Sequence, residues 1–242
     1  MHQGHQHPIS RIIRDINAVF AELGFVFAEG PEMESTQYNF DLLNVPKDHP
    51  SRDMQDTFYI DGVADTVMRT HTSPVQVRYI ERFVKEKSEF PLRVIVPGKV
   101  FRNEATDATH EAQFYQLEGL VVDKEISVAH LKGTLEYFFE HLFGGSVEVR
   151  LRPSFFPFVE PGLEVDMRLT GHDAPSKLKD KWIEIMGAGM VHPNVLKGAG
   201  IDPEVYQGFA FGMGIDRLAV MKYGVDDVRL FYTGDLRVVN QF

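Results

Sequence analysis

GKVFRNEATDATHEAQFYQLEGLVVD, residues 98–123, decides how this chain reads, as two strands joined by a polar loop. The first strand is expected over 98–104 and carries Arg102 and Glu104; the second, over 113–122, alternates Phe114, Gln116 and Glu118. Side chains two apart on a strand share a face, so each strand shows its chemistry on one side. Tyr115, Leu117 and Val121 fill the opposite face, while Leu120 and Val122 continue the polar one. Polar residues inside so apolar a run point to a buried site. An arginine beside a carboxylate, an aromatic ring and an amide–acid pair suits a nucleotide and a small zwitterion.

Outward from this hairpin, the chain punctuates itself. Ile12, Ile13, Ile16, Phe20 and Leu23 keep helical spacing over 10–23, with Gly24 as the stop. FVFAEGPEME, residues 25–34, reads as a strand interrupted by Gly30-Pro31, which assigns it to an edge or an interface. A short helix is expected over 38–43 and strands over 58–60 and 67–72. Ser73-Pro74 opens a helix whose inner face is Val77, Ile80 and Val84. His71 and Ser73 therefore fall where a strand meets a helix N-terminus, a place suited to an anion.

Past the hairpin, Ser127 caps a helix with Val128, Leu131, Leu135, Phe138, Phe139 and Leu142 as its buried stripe, and 147–151 alternates as a strand. In RPSFFPFVEPGLEVDM, Phe156, Phe158 and Glu160 share a parity between stiffening prolines, which fits either core packing or a slot for an aromatic guest. Residues 171–181 read as a surface hairpin loop and 182–186 as a strand, after which Gly187 and Gly189 let a ligand or backbone come close. GFAFGMG, residues 208–214, runs into a helix near Ile215 with Arg217 in its first turn, a position where a cation suggests a bound anion.

The 242 residues hold no cysteine, so disulfides and thiolate metal sites are excluded. No apolar run approaches the ~18 residues that span a bilayer, and the opening MHQGHQHP has no signal-peptide character, so the expected setting is the cytoplasm, with no membrane partner. His2, His5 and His7 fall in a segment, 1–8, expected to be flexible, ahead of a single domain over 9–242. The net charge of −10 leaves any RNA partner to a local basic patch or a second subunit. Strands and helices that do not alternate strictly favour an α+β fold, a mostly antiparallel sheet flanked by helices.

Three pieces in order, a helix and strand ending at Pro31, a hairpin with FRNE, and a glycine-rich strand–helix with GMGIDRL, resemble the motifs of class II aminoacyl-tRNA synthetases. GHQHPI, HTSPVQVR, VFRNEATDATHEAQFYQLEGLVVD, RPSFFPFVEP, GAGMVHPNVL and GFAFGMGIDRL are similar to the alpha subunits of bacterial phenylalanyl-tRNA synthetases, from Gly4 to Phe242. That resemblance implies the class II catalytic fold and an enzyme that activates phenylalanine with ATP and transfers it to tRNA(Phe). It implies Arg102 on the α-phosphate, Glu104 on the adenine side or on a neighbouring donor, and His110 at the polyphosphate. Phe114 and Arg217 would sandwich adenine, Arg217 also lying near the γ-phosphate, with Gly212 and Gly214 in the ATP site. His71, Ser73, Gln116 and Glu118 would fix the amino acid's ammonium and carboxylate. Phe156, Phe158, Val159, Gly187 and Gly189 would meet the substrate, Ala210 would leave room at the ring's para position, and Glu160 would be a Mg²⁺ ligand shared with another subunit.

The same resemblance implies a beta subunit, in a tetramer of two alpha and two beta chains, or a homodimer through the region of Pro31. The long N-terminal tRNA-binding arm that the resemblance implies is not among these residues, and the expected organisation is the catalytic domain without it. An apolar pocket rejects tyrosine's added hydroxyl by only about a hundredfold; the family's editing site belongs to the beta subunit, and nothing here resembles one. Two other readings stay open on the same fold, a paralogue that activates an aromatic amino acid without charging tRNA, and a non-catalytic regulatory module.

Overall fold

A seven-stranded sheet, seen in a computed structural model that describes residues 4–170 and 178–242, separates two apolar cores. Its strands are β1 (Val26–Phe27), β4 (Leu92–Phe101), β5 (Gln113–Asp123), β6 (Val147–Phe156), β7 (Val159–Leu169), β8 (Ile183–Val191) and β9 (Gln207–Gly214), in the spatial order β1-β4-β5-β9-β8-β7-β6. All pairings are antiparallel except β1 with β4. The remaining strands, β2 (Met33–Ser35) and β3 (Thr66–Met68), make a separate antiparallel ribbon.

The period-two pattern of the central hairpin sorts its side chains as expected. Leu117 and Val121 enter the core covered by α1 (Pro8–Glu22), α4 (Val128–Phe143) and α6 (Ile215–Tyr223), where Ile12, Ile16, Leu131, Leu135 and Leu218 are fully buried. Leu120 and Val122 face the other way, against α3 (Ser73–Lys85) and α5 (Pro193–Gly198). Short helices α2 (Thr36–Asn39) and α7 (Leu236–Val239) complete the α-helices among the described residues.

Several boundaries differ from the sequence reading. β4 begins at Leu92 and stops at Phe101, so Arg102 and Glu104 lie on the irregular return rather than in a strand. There Arg102 N–H donates to Ala112 O (2.9 Å) and Asn103 N–H to Asp56 O (3.1 Å). Pro97 is tolerated inside β4 because β1 pairs only at Val94 and Ile95, leaving no ladder partner opposite the missing N–H. The stretch 25–34 divides into β1, at the edge of the large sheet, and β2, in the ribbon. The strand expected over 58–60 reduces to a single bridge between Tyr59 and Val67, and that over 67–72 ends at Met68, leaving His71 in the turn before α3. On α3 the buried face uses Phe83 rather than Val84, which is 38% exposed. The helix expected over 38–43 is α2 followed by a 3-10 turn, Asp41–Leu43.

RPSFFPFVEP is a hairpin. β6 runs through Phe156 and β7 starts at Val159, with Pro157-Phe158 as the turn, so parity does not carry across to Glu160. Within the expected flexible segment, His2 and the rest of 1–3 lie outside the described residues. His7 caps α1, its Nδ1 accepting from Ile9 N–H (3.2 Å) and its Nε2 lying 2.8 Å from Phe231 O, while His5 Nδ1 is 2.8 Å from Phe242 O. Of the loop expected over 171–181, residues 171–177 lie outside the described set; Lys179 bridges to Leu169. Among the described residues, no helix is long and apolar enough to cross a membrane.

Candidate active site

β5 supplies the floor of a cavity of ≈ 650 Å³, because Phe114, Gln116, Glu118 and Leu120 point to the same side of the sheet. Arg102 reaches over Phe114, with its guanidinium carbon 5.1 Å from the ring centroid, and its Nε–H donates to Thr70 O (3.1 Å). Burial pushes the Arg102 guanidinium below its ordinary value, against the pull of Glu104 and Glu118. Glu104 and Asp56 also line this end.

Midway along β5, Glu118 is 5% exposed and doubly held: Ser73 Oγ–H donates to Oε2, and Thr72 N–H to Oε1 (3.1 Å). Burial nevertheless pushes its carboxyl up to about 7, because the hydrogen bonds and the charges of Arg102 and Arg69 only partly offset the lost hydration. His71 is pushed down to about 3, first by burial and then by Arg102. Three buried polar atoms on this wall have no hydrogen-bond partner, namely His71 Nδ1, Gln116 Oε1 and Gln76 Nε2. Such groups are costly when unpaired, and here they mark donors and acceptors set out for a polar ligand.

The far end is apolar. Leu120 pairs with Ala210 across the β5–β9 ladder, and Leu43, Val45, Val77, Ile80, Val159 and Val195 surround them. Phe156 and Phe158 stack across the β6–β7 turn, with centroids 6.0 Å apart and planes at 20°. Gly187 makes room for this pair, since a Cβ there would sit 2.7 Å from Phe156 Cζ. Gly212 lies directly across from Gly187 and faces the Glu118 side chain.

Of the residues expected at the site, His71, Ser73, Arg102, Glu104, Phe114, Gln116, Glu118, Phe156, Phe158, Val159, Gly187, Ala210, Gly212 and Gly214 converge on this one cavity. Four do not line it. Gly189 packs under the hairpin, where a Cβ would collide with Pro161 O. His110 is exposed on the loop after β4, its Nδ1 3.1 Å from both oxygens of Asp107. Arg217 is exposed in the first turn of α6, just beyond Gly214. Glu160 is exposed at the start of β7, and no group of three or more His, Asp or Glu side chains among the described residues could hold a metal ion. The described residues therefore do not by themselves make a resident metal site.

Other lining residues escaped the sequence reading. Gln76 lies one turn beyond Ser73 on α3, a polar side chain 6% exposed between Val75 and Val77; its place on an apolar face was the available signal. His49, Ser51 and Asp56 come from a loop without periodicity. Asp216 holds the end of β5 next to Phe114: its Oδ2 accepts from Tyr115 N–H (2.7 Å) and its Oδ1 from Tyr232 O–H.

The family model described as the tRNA synthetases class II core domain (F) matches residues 1–242. The chain is 54% identical to the phenylalanine–tRNA ligase alpha subunit of Bacillus pumilus (strain SAFR-032) and 55% identical to that of Bacillus subtilis (strain 168), in each case over 99% of this chain and 69% of the relative. It is 54% identical to the corresponding subunit of Macrococcus caseolyticus (strain JCSC5402), over 99% of this chain and 67% of the relative. With a mostly antiparallel sheet, an arginine-bearing hairpin and a glycine-rich strand–helix, and matched over 99% of its length by these relatives, the chain belongs to the class II tRNA synthetases, in the family of phenylalanine–tRNA ligase alpha subunits.

Proposed function

We propose that this chain activates phenylalanine with ATP to phenylalanyl-adenylate and passes the phenylalanyl group to tRNA(Phe). The observation that carries the reading is the gradient along one face of β5. Phe114 lies under Arg102, Gln116 and Glu118 follow, and Leu120 meets Ala210 in the apolar end. From Phe114 to Leu120 is roughly 20 Å of strand, enough to lay an aminoacyl-adenylate out with its base at one end and its ring at the other.

The chemistry follows from the residues. The substrate ring enters among Phe156, Phe158 and Ala210, where edge and face contacts favour an aromatic guest. Its ammonium meets Glu118 and the free Oε1 of Gln116, and Gln76, Ser73 and His71 complete the polar collar. The carboxylate then attacks the α-phosphorus of ATP; a C–O–P linkage forms, the bond to the bridging oxygen breaks, and pyrophosphate leaves with that electron pair. The nucleophile is already an anion at neutral pH, so no general base is required. A His71 held neutral by burial and by Arg102 agrees with a polar, non-basic role. Catalysis rests on alignment and on the Arg102 charge beside the reacting phosphate. In the second step a terminal ribose hydroxyl of tRNA attacks the carbonyl carbon, the ester forms, the bond from that carbon to the phosphate oxygen breaks, and AMP departs with its electron pair as the hydroxyl proton passes to the leaving phosphate or to water.

Arg217 and His110 take their proposed places on ATP from outside the cavity wall, on an exposed first turn and an exposed loop that a bound nucleotide would cover. Glu160 would need donors from another chain to hold Mg²⁺, and no step above depends on it. A beta subunit, in a tetramer of two alpha and two beta chains, would supply such donors and the tRNA contacts that a chain of net charge −10 does not favour. The polar end of the cavity, with Arg102 stacked on Phe114, weighs against a non-catalytic module. Charging of tRNA(Phe) with labelled phenylalanine, by the chain with and without a beta subunit, tests the reading. Product only with both subunits, or with this chain alone, supports it; exchange without charging in either case would favour a paralogue that stops at the adenylate.

A further inference from the structure

Asn44 holds the apolar end of the cavity together without lining it. It follows the 3-10 turn Asp41–Leu43 and takes a left-handed conformation, φ +59°. Its Nδ2–H donates to Pro157 O (2.7 Å), in the turn between Phe156 and Phe158. Its Oδ1 accepts from Asn194 Nδ2–H (3.0 Å), beside Val195 on α5. Leu43 and Val45, on either side of Asn44, are buried and line the cavity, as do Pro157 and Val195. One amide therefore fastens three separate segments that wall the ring pocket.

The fastening is reinforced on both flanks. Arg52 donates to Val45 O and pairs with Asp41 (2.6 Å), with its guanidinium 4.8 Å from the Phe40 ring. On the other side His192 N–H donates to Phe158 O (2.9 Å), which joins the aromatic turn to the start of α5. The walls thus meet through hydrogen bonds to the backbone carbonyls of Val45, Pro157 and Phe158.

We infer that Asn44 is a positioning residue for substrate selection: by locking the 43–45 loop to the Phe156–Phe158 turn and to α5 it sets the width of the ring pocket and excludes para-substituted rings. This inference rests on the phenylalanine-activating reading of the same cavity. Glycine at position 44 keeps the left-handed backbone at no steric cost while deleting both bonds, so Asn44→Gly is the direct variant. Asn44→Asp keeps the acceptor for Asn194 but sets a carboxylate against Pro157 O.

The test is ATP–pyrophosphate exchange by the enzyme in its native assembly, with phenylalanine and with p-chlorophenylalanine, and with KM for ATP and Tm measured alongside. Asn44→Gly is expected to raise the kcat/KM of p-chlorophenylalanine relative to phenylalanine roughly tenfold, the scale of one or two lost hydrogen bonds, with KM for ATP unchanged. Asn44→Asp should move the ratio in the same direction. If Asn44→Gly fails to fold, Asn194→Ala, which removes only the outer bond, carries the same readout at smaller size. A lowered Tm with the ratio unchanged would overturn the inference, because it would make Asn44 merely structural. No phenylalanine-dependent exchange by the unaltered enzyme would overturn the functional reading itself, and the inference with it.

Discussion

Ser73, the first residue of α3, donates its hydroxyl to the Glu118 carboxylate in the middle of β5, so a helix N-terminus and a sheet interior meet on one buried acid. With Thr72 N–H on its other oxygen, Glu118 is held in a fixed orientation facing the cavity. Its burial makes ionisation unfavourable until a cation arrives, which links the binding of an ammonium group to proton release.

The affinity for phenylalanine is therefore expected to rise with pH through about 7, the value to which Glu118 is pushed in the empty site. The amino acid keeps its ammonium throughout this range, so the change belongs to the protein. Calorimetry at pH 6 in buffers of different ionisation enthalpy should detect a proton released on binding. No buffer dependence would mean that Glu118 is already ionised.

The same group makes the ligand-free fold lose stability as the pH rises towards neutrality. An unfolded glutamate releases its proton near the ordinary 4.5, whereas the folded one keeps it to about 7, so this contribution to stability is present at low pH and is lost as pH rises through that window. Glu118→Gln stays neutral and loses nothing. The stability of Glu118→Gln relative to the unaltered chain, read from Tm, should climb between pH 5 and 7.5, by on the order of a few kcal/mol at most. A constant difference across that range would contradict the assignment.

At the polar end of the cavity, Arg102→Lys keeps a charge but loses the fork and the bond to Thr70 O. It should lower the exchange rate about a hundredfold or more while leaving the dissociation constant for phenylalanine within a few fold. An equal loss of both would place Arg102 on the amino acid rather than on the phosphate.

Ala210 faces Leu120 at the floor of the ring pocket. Ala210→Gly should admit para-substituted phenylalanines, seen as exchange with p-chlorophenylalanine. Gly187→Ala should do the reverse to the natural substrate, raising its KM, because the added Cβ would stand 2.7 Å from Phe156 Cζ and displace that ring.

Tyr232→Phe removes a donor from the buried Asp216, which also receives Tyr115 N–H beside Phe114. The cost should be about 1–3 kcal/mol, seen as a drop of several degrees in Tm. KM for ATP should rise while KM for phenylalanine stays put, since Asp216 touches the end of β5 that carries Phe114. A rise in both would show that the site loosens as a whole.

What the sequence made legible follows from periodicity. Phe114, Gln116, Glu118 and Leu120 were readable as one face because a strand alternates strictly, and Gly208–Gly214 ahead of Ile215 because glycines and a helix start are local signals. Glu160 was placed with Phe156 and Phe158 by parity, which holds only within a strand; the turn at Pro157-Phe158 breaks it and sends Glu160 outward. Gln76 was hidden in a helix whose neighbours Val75, Val77 and Ile80 read as core. His49, Ser51 and Asp56 sit in an aperiodic loop that is fixed through contacts such as Asn103 Nδ2–H to Met54 O (3.0 Å), about fifty residues away in the chain, which no local pattern announces.

The central claim is that one cavity holds phenylalanine and ATP in line for adenylate formation. ATP–pyrophosphate exchange with phenylalanine, with tyrosine and with no amino acid, by the chain together with a beta subunit, tests it most directly. Exchange that depends on phenylalanine, is far weaker with tyrosine, and disappears with Arg102→Ala is the predicted result. Exchange that is absent with phenylalanine, or that survives the loss of Arg102, would contradict it.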